Sequence, residues 1–305
     1  MSMVTGTSDE ARASRARSSV PNILSIAGTD PTGGAGIQAD LKSFAAHRGY
    51  GMAVVTALVA QNTQGVRQIH VPDAEFLRAQ LDAVADDVRI DGVKIGMLGT
   101  TETIRTVAAW WDALRARGDS SRDDVAPAGP RPTLVIDPVM VATSGDRLLE
   151  EEAEDALRDF LGRADIITPN VSELALLADA EPAASDEDLL AQARAVADTY
   201  DVLVLAKGGH LRGDEVRDAL VHPAGPGGQR TPEAEFTGPR IDTQNTHGTG
   251  CSVSAALATL RARGLSWEDA VGEAKAWMSE ALETSSDLDV GQGHGPINHL
   301  VRLWR

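Results

Sequence analysis

The segment Asn245-Thr246-His247-Gly248-Thr249-Gly250-Cys251-Ser252 is a glycine-rich turn that leads directly into the helical stretch Val253-Ser254-Ala255-Ala256-Leu257. Glycines 248 and 250 allow the backbone to approach a ligand closely, so successive amide groups can point at one anion. The positive end of the following helix favours negative charge at the same point. The segment therefore predicts an anion hole that stabilises a phosphoryl group during transfer. An isolated Gly-Thr-Gly could equally be a helix start that only needs glycine for its turn, so the rest of the chain has to decide.

A second glycine-rich segment, Ala27 to Asp40, joins the first predicted strand to the first predicted helix. It lacks the G-x-G-x-x-G spacing of a dinucleotide-binding turn, and the chain contains no G-x-x-x-x-G-K-[ST] sequence. These two absences argue against a Rossmann dinucleotide site and against a P-loop. A nucleotide-binding fold of another kind is needed.

The chain from Asn22 onward alternates short apolar runs with amphipathic stretches of helical length, which is typical of βαβ units. The apolar runs are nearly continuous, as expected of parallel strands that helices cover on both sides. We therefore predict an α/β fold with a central, mostly parallel β-sheet flanked by helices on both faces. In such sheets ligands bind beyond the carboxyl ends of the strands, where both glycine-rich segments fall. The predicted strands are Ile23 to Ala27, Ala53 to Ala60, Gly92 to Ile95, Thr133 to Ile136, Asp165 to Thr168 and Val202 to Ala206. The predicted helices are Gly36 to His47, Ala74 to Asp87, Glu102 to Arg117, Glu151 to Leu161, Val171 to Leu177, Asp186 to Thr199, Cys251 to Arg263 and Trp267 to Leu282.

Two stretches rich in Pro, Gly and charge, Gly118 to Pro132 and His222 to Pro239, are predicted to be surface loops. Neither is long enough to separate two hydrophobic cores, so residues 21–305 are predicted to form a single domain. Residues 1–20 are rich in Ser, Thr, Ala and Arg and lack the apolar core of a secretory signal. We predict that they form a disordered N-terminal extension.

Composition narrows the classes of partner. The chain has 28 Lys and Arg against 45 Asp and Glu, and its net charge of −17 repels nucleic acid and anionic membrane surfaces. Its single cysteine, Cys251, excludes an intramolecular disulfide and suits a reducing compartment. No apolar run approaches the roughly 20 residues that a membrane span requires. We therefore expect a cytoplasmic protein that acts on small molecules, with neither nucleic acid nor membrane as a partner.

Both glycine-rich segments, together with several shorter ones, closely resemble the hydroxymethylpyrimidine/phosphomethylpyrimidine kinase branch of the ribokinase-like superfamily. The ordered matches extend from Pro21 to the C-terminus. The shorter segments are Thr56 to Thr63, Val93 to Leu98, Asp137 to Met140, Thr168 to Asn170, and Lys207 to His210.

The resemblance implies a ribokinase-like fold, ATP and Mg²⁺ as cofactors, and a homodimer. It implies that ATP phosphorylates 4-amino-5-hydroxymethyl-2-methylpyrimidine and then its monophosphate, giving the diphosphate for thiamine synthesis. Whether one or both steps occur stays open. The alternatives are a pyridoxal or pyridoxine kinase of the same superfamily, and a non-catalytic ligand sensor that keeps the site without turnover.

The resemblance also implies a role for Cys251, which would take the proton of the substrate alcohol beside an anion hole formed by Gly248, Thr249 and Gly250. Most of the superfamily has an aspartate at this position. We expect the pKa of the Cys251 thiol to fall, because it lies at a helix N-terminus beside bound magnesium. The alternative is a small buried apolar residue, which is the commonest role of a free cysteine.

The pyrimidine site implied by the resemblance centres on Gln61, whose amide would hydrogen-bond the amino or ring-nitrogen edge of the ring. Some relatives have Glu at this position, so fine specificity stays open. Gly28 and Ala35 would contact the ring, and Asp40 would shape the pocket. Val59, Met97 and Val139 would form apolar walls, or could equally be ordinary core residues.

The nucleotide site implied by the resemblance includes Lys207 as a positive charge near the phosphates. Asn170, Thr246 and His247 would also contact the nucleotide. Glu173 and Asp137 would orient magnesium through its outer shell of water. The Asn-Val-Ser-Glu sequence at 170–173 also has the spacing of a helix capping box, a role compatible with metal binding.

Overall fold

The computed structural model describes residues 20–120, 131–140, 148–209, 211 and 213–304. Within this part of the chain, nine strands form one sheet in the order β3-β2-β1-β4-β5-β6-β7-β8-β9. Pairing is parallel from β2 through β7, while β3, β8 and β9 pair antiparallel with their neighbours. The strands are β1 (Asn22–Gly28), β2 (Tyr50–Asn62), β3 (Gly65–His70), β4 (Gly92–Ile95), β5 (Thr133–Ile136), β6 (Ile166–Ile167), β7 (Leu203–Lys207), β8 (Glu215–Val221) and β9 (Ala234–Pro239).

Helices cover both faces of the sheet, as predicted. Successive side chains of β1 show this directly, because Leu24 and Ile26 enter one buried cluster while Ile23 enters the other. Helices α2 to α6 pack on the first face, and α1, α7 and α8 pack on the second. The helices are α1 (Gly36–Ala46), α2 (Ala74–Asp87), α3 (Thr101–Ser120), α4 (Glu154–Leu161), α5 (Val171–Leu177), α6 (Asp186–Tyr200), α7 (Thr249–Ala262) and α8 (Trp267–Glu283).

The loop prediction for His222 to Pro239 is wrong at its C-terminal end, where β9 pairs with β8. Strands β3 and β8 were also missed. All three lie in the antiparallel margins of the sheet, and β9 alternates partly buried with exposed residues. Such strands lack the continuous apolar run that marks a strand buried on both faces.

Helix α3 continues to Ser120, so the loop predicted from Gly118 begins too early. The rest of that predicted loop as far as residue 130, and the predicted extension over residues 1–19, lie outside the described residues. None of the helices in the described part of the chain combines the length and apolar character that a bilayer crossing needs.

Candidate active site

A cavity of about 730 Å³ opens at the carboxyl ends of the parallel strands. It receives Gly28 from the end of β1, Asp137 from the end of β5, Lys207 from the end of β7 and Gly250 from the start of α7. Every predicted site residue lines this cavity except Asp40. The topology therefore brings together residues that are far apart in the sequence.

Gly248 is the N-cap of α7 and has a φ of 82°. A Cβ built on it would lie 1.8 Å from the carbonyl oxygen of Gly34, so no side chain fits there. The two glycine-rich segments thus contact each other through backbone. This packing fixes the amide groups at the start of α7, where a phosphate oxygen would be held.

The Lys207 ammonium lies at the same point. Its Nζ is 3.1 Å from Oδ1 of Asp137, and a Cβ on Gly250 would be 3.2 Å from that Nζ. Thr168 donates a hydrogen bond of 2.8 Å to the same Asp137 oxygen. Although burial by itself would lower the pKa of Lys207, the carboxylates of Asp137 and Glu173 raise it. A charged ammonium therefore adjoins the backbone amides of the predicted anion hole.

Asn170 and Glu173 form the predicted capping box at the start of α5. The Asn170 side-chain oxygen accepts from the amides of Ser172 and Glu173 at 3.0 Å each, and Glu173 Oε2 accepts from the Asn170 amide at 2.9 Å. Burial, together with nearby Asp137, raises the pKa of Glu173 to about 7 against the pull of Lys207. Lys207 alone thus does not compensate for the cost of burying a negative charge on Glu173. A divalent cation bound nearby would favour the ionised carboxylate.

Asp137 and Glu173, the two residues predicted to orient magnesium, lie in the same part of the cavity. In the described ranges, no group of three or more His, Cys, Asp or Glu side chains could hold a metal ion by itself. Magnesium in phosphoryl-transfer sites usually keeps several waters and uses one or two carboxylates with substrate phosphates. Asp137 and Glu173 supply the hard oxygen atoms for such an arrangement.

The expected low pKa of Cys251 is wrong for the protein without ligands. The residue is half-buried at the start of α7, and burial raises the pKa of its thiol to about 11. Lys94 and the Gly36 amide lower the pKa, while Asp40 and Asp137 oppose them. Desolvation outweighs the helix end, so at neutral pH Cys251 is a thiol.

At the other end of the cavity, Asp30 organises the second glycine-rich segment and was missed by the sequence analysis. Its Oδ2 accepts from the amides of Gly34 and Ala35 at 3.1 and 2.8 Å and lies 2.8 Å from Nε2 of His247. Burial alone would raise the pKa of Asp30, but hydrogen bonds from His247, Gln61 and Thr32 hold it well below its usual range. The Asp-Pro-Thr-Gly turn at 30–33 was the signal for this role.

His247 and Asp40 have hydrogen-bond partners that the sequence analysis did not predict. His247 lines the cavity, but its imidazole bonds to Asp30 on the segment predicted to hold the pyrimidine. Asp40 is fully buried beneath the cavity, where it accepts two hydrogen bonds from Lys94 Nζ at 2.8 and 2.9 Å and one from Ser25 Oγ at 2.6 Å. Asp40 therefore supports the site from below, and Lys94 is its unpredicted partner.

The cavity extends beyond Lys207 along side chains that the sequence analysis did not assign to the site. Val216 of β8 and Val271, Met278 and Leu282 of α8 give it an apolar wall there. Nearby, Lys275 Nζ bonds Asp218, whose other oxygen accepts from the amide of Gly208. This wall could not be expected without β8.

A sequence model of the family described as phosphomethylpyrimidine kinase matches residues 30–298. The chain belongs to that family. It is 46% identical to the hydroxymethylpyrimidine/phosphomethylpyrimidine kinase of Salmonella typhimurium, over 93% of this chain and 98% of that protein. It is 49% identical to the thiamine biosynthesis multifunctional protein ThiED of Corynebacterium glutamicum, over 92% of this chain. The chain spans only 34% of the length of that relative.

Solved structures of similar kinases have the same fold as this chain. An ADP complex of Bacillus subtilis pyridoxal kinase superimposes with a TM-score of 0.78 at 29% identity, covering 94% of this chain and all of that one (100%). Phosphomethylpyrimidine kinase from Clostridium difficile gives 0.69 at 32% identity, covering 86% of this chain and 99% of that one. The predicted ribokinase-like fold is therefore confirmed, and the family to which the chain belongs agrees with the predicted kinase class.

Proposed function

We propose that the chain transfers the γ-phosphoryl group of ATP to the hydroxymethyl oxygen of 4-amino-5-hydroxymethyl-2-methylpyrimidine. We propose that it then phosphorylates the monophosphate, giving the diphosphate for thiamine synthesis. One observation carries this proposal. The Lys207–Asp137 ion pair lies against Gly250, in the same cavity as Gln61, so a phosphate-binding corner and a heteroaromatic-sized subsite share one space.

The acceptor subsite favours a ring that bears an amino group. Gln61 lies close enough to the Asp30 carboxylate to lower its pKa, and because a carboxylate can only accept hydrogen bonds, the Gln61 NH₂ group would turn toward Asp30. The carbonyl oxygen of Gln61 is then left to accept from a substrate donor such as the 4-amino group. Apolar contacts would come from Val59, Met97 and Val139, with Gly28 and Ala35 close beneath the ring.

Phosphoryl transfer depends mainly on positioning and charge stabilisation. The amides of Gly248, Thr249 and Gly250 would hold the transferred group at the positive end of α7, and Lys207 would neutralise charge beside it. Magnesium bound with ATP would neutralise the phosphate oxygens. Asp137 and Glu173 would orient it through water.

The nucleotide would occupy the end of the cavity that lies beyond Lys207. The apolar wall of Val216, Val271, Met278 and Leu282 offers a slot for a purine face. Asn170 and Thr246, which line the same cavity, would contact the nucleotide nearer the phosphates.

Cys251 would accept the alcohol proton late in the reaction. Its thiol is protonated in the free protein because burial raises its pKa. The thiol would therefore first release its own proton to solvent as Mg·ATP binds beside it, and the resulting thiolate would take the alcohol proton. A loose transition state requires little early deprotonation of the attacking oxygen, so this transfer can come late.

Pyridoxal is a second candidate acceptor, because solved pyridoxal kinases share the fold. One of them, from Staphylococcus aureus in complex with AMP-PCP and pyridoxal, gives a TM-score of 0.78 at 27% identity. The 46% identity to the Salmonella pyrimidine kinase favours the pyrimidine. A coupled assay of ADP release with each alcohol decides between them. The proposal requires kcat/KM to be higher for the pyrimidine, and a preference for pyridoxal would overturn it.

We also propose a homodimer that joins through the β2–β3 edge of the sheet. Exposed apolar side chains gather there, and an unpaired edge strand readily pairs with another surface. The exposed apolar side chains are Leu58, Ile69, Val71 and Phe76. Light scattering should give twice the chain mass for the wild type and a monomer for Phe76→Glu.

The single catalytic domain over residues 21–305 and the cytoplasmic location stay predictions.

A further inference from the structure

The C-terminal segment over residues 295–299 lies against the glycine-rich turn that begins α7. The His247 amide donates a hydrogen bond of 3.1 Å to the Gly295 carbonyl, and His247 pairs with Pro296 as in a parallel β-bridge. The two segments are in close contact, because a Cβ on Gly295 would overlap Oδ1 of Asn245. Residues 295–299 do not line the active-site cavity, so they can act on the anion hole only through the turn.

Within this segment, His299 is linked to the first turn of α7 by a chain of hydrogen bonds. Its Nε2 lies 2.8 Å from Oγ of Ser252, across 47 residues of sequence. The Ser252 hydroxyl donates to the Gly248 carbonyl at 2.7 Å, and the Ser252 amide donates to the same oxygen at 2.9 Å. Ser252 is fully buried, and His299 is 3% exposed. The C-terminal segment is thereby connected to the N-cap of α7.

The proton positions in this chain follow from what each group can donate. A carbonyl oxygen only accepts and a hydroxyl has one proton, so the proton of Ser252 lies toward Gly248. His299 must then be the donor in its contact with Ser252. The imidazole therefore carries a proton on Nε2.

The His299 ring carries only that one proton at neutral pH. Burial, together with the nearby positive charge of Lys42, lowers the pKa of His299 to about 3 against the effect of the Ile297 carbonyl. If the single proton were on Nδ1 instead, the Ser252 hydroxyl would have to turn toward Nε2. The Gly248 carbonyl would then lose one of its two donors. The form protonated on Nε2 keeps both contacts of the Ser252 hydroxyl as hydrogen bonds.

The Gly248 carbonyl sets the direction of the amides that follow it. A peptide unit is planar, so fixing this carbonyl also fixes the Thr249 N–H on its opposite side. The Thr249 amide makes a long bond, of 3.3 Å, to the carbonyl of Thr246. Gly248 has a φ of 82°, and a glycine adopts other conformations at little cost. The two donors from Ser252, together with the contact to Gly34, therefore hold the start of α7 in one orientation.

We propose that His299 is a positioning residue of the anion hole. By donating to Ser252, it orients the hydroxyl that holds the Gly248 carbonyl. The amides of Thr249 and Gly250 are thereby aimed at the transferred phosphoryl group. This role rests on the proposed kinase function, to which the anion hole belongs. His299 lies outside the cavity, so it acts on the rate only through Ser252.

His47 provides a matched comparison for His299. Both histidines are 3% exposed, and both pack against Trp277, at 4.7 Å for His47 and 6.2 Å for His299 between ring centroids. Nδ1 of His47, however, bonds the carbonyl of Ser43 in α1. Replacing either histidine removes a similar buried contact, but only His299 is bonded to the first turn of α7.

The first test is the tautomer of His299 in protein labelled with ¹⁵N in its seven histidines. The signals of this residue are assigned by their loss in His299→Gln. In the wild type at pH 7 we expect a protonated Nε2 and a bare Nδ1. A proton on Nδ1 would overturn the proposal, because the Ser252 hydroxyl would then no longer hold Gly248.

The second test compares kcat in matched variants. His299→Leu removes the donor and should lower kcat at least tenfold with both KM values near wild type, because the amides act on the transition state. His47→Leu should lose a comparable amount of stability in urea unfolding but keep the wild-type kcat. His299→Gln, whose amide can donate from nearly the same position as Nε2, should recover most of the loss.

Ser252→Ala tests the same link without a large change in the core. It removes the hydroxyl alone and should lower kcat about as much as His299→Leu does. The double variant should be no slower than either single variant, because both changes break one chain of bonds. Equal kcat in His299→Leu and His47→Leu, or losses that multiply in the double variant, would overturn this role and leave the kinase proposal intact. A wild type that forms no ADP with the pyrimidine would contradict the proposed function, and this role with it.

Discussion

The carbonyl oxygen of Gly34 occupies the space in which any side chain on Gly248 would have to lie, 1.8 Å from an ideal Cβ. One glycine-rich segment therefore shapes the other, although the two are separated by most of the chain. The proposed anion hole therefore depends on this backbone contact.

Gly248→Ala should lower kcat by about a hundredfold or more, because the start of α7 must move away from Gly34 and its amides lose their aim. The control is Gly227→Ala. Gly227 has nearly the same φ, 81°, but nothing within 4 Å of a built Cβ. Gly227→Ala therefore introduces the backbone strain of a positive φ without the steric clash that Gly248→Ala creates with Gly34. Steady-state kinetics with circular dichroism on both variants measures this, and near-wild-type kcat in folded Gly248→Ala would exclude the role.

Gln61→Ala should weaken pyrimidine binding by about 1 to 3 kcal/mol and leave ATP binding nearly unchanged, because it leaves a substrate donor unpaired. Calorimetry with each ligand separately measures the two affinities. Gln68→Ala, an exposed glutamine on neighbouring β3, serves as the control. If both affinities fall together, or neither changes, the assignment of Gln61 to the ring is wrong.

Glu173 should make the protein less stable as pH rises. Its pKa is raised from 4.5 to about 7 in the folded state, so the folded protein binds more protons than the unfolded chain between those values. The free energy of unfolding therefore falls as pH rises through this window, by at most about 3 kcal/mol. Glu173→Gln keeps an acceptor for the capping box but removes this dependence. Urea unfolding from pH 4.5 to 7.5 compares the two, and parallel profiles would show that Glu173 is not the source.

The sequence predicted that most of these residues would line one cavity, because parallel strands end at one edge of the sheet. Asp137, Lys207 and the Gly248–Cys251 turn each follow or adjoin a strand or helix with a clear apolar pattern, so their meeting followed from topology. The apolar wall with Val216 was missed because β8 lies among the antiparallel strands and reads as a polar stretch.

Long-range pairs and burial could not be inferred from local patterns. Lys94 pairs with Asp40 across 54 residues, and His247 meets Asp30 across 217 residues. The raised pKa of Cys251 depends on how many atoms exclude water from the thiol, which no local spacing records. The position of Cys251 at a helix N-terminus had by itself suggested a lowered pKa.

Cys251→Ala should lower kcat by roughly 10² to 10⁴, the usual contribution of a general base, with both KM values near wild type. The anion hole consists of backbone amides and should survive. Cys251→Asp should recover part of the activity and extend it to lower pH, since a carboxylate has a lower pKa than a thiol. Full kcat in Cys251→Ala from pH 6 to 9 would make the thiol a packing residue only.

We propose that this chain phosphorylates the pyrimidine alcohol and then its phosphate. Phosphorus NMR of the purified protein with ATP, Mg²⁺ and 4-amino-5-hydroxymethyl-2-methylpyrimidine follows both steps in one sample. We expect a phosphate monoester signal that grows together with an equal amount of ADP. A diphosphate signal should follow when the monophosphate is the acceptor. Lys207→Met should form neither at a comparable rate, because the corner beside Gly250 loses its charge. The absence of any pyrimidine phosphate ester, with folded protein and bound ATP, would contradict the account.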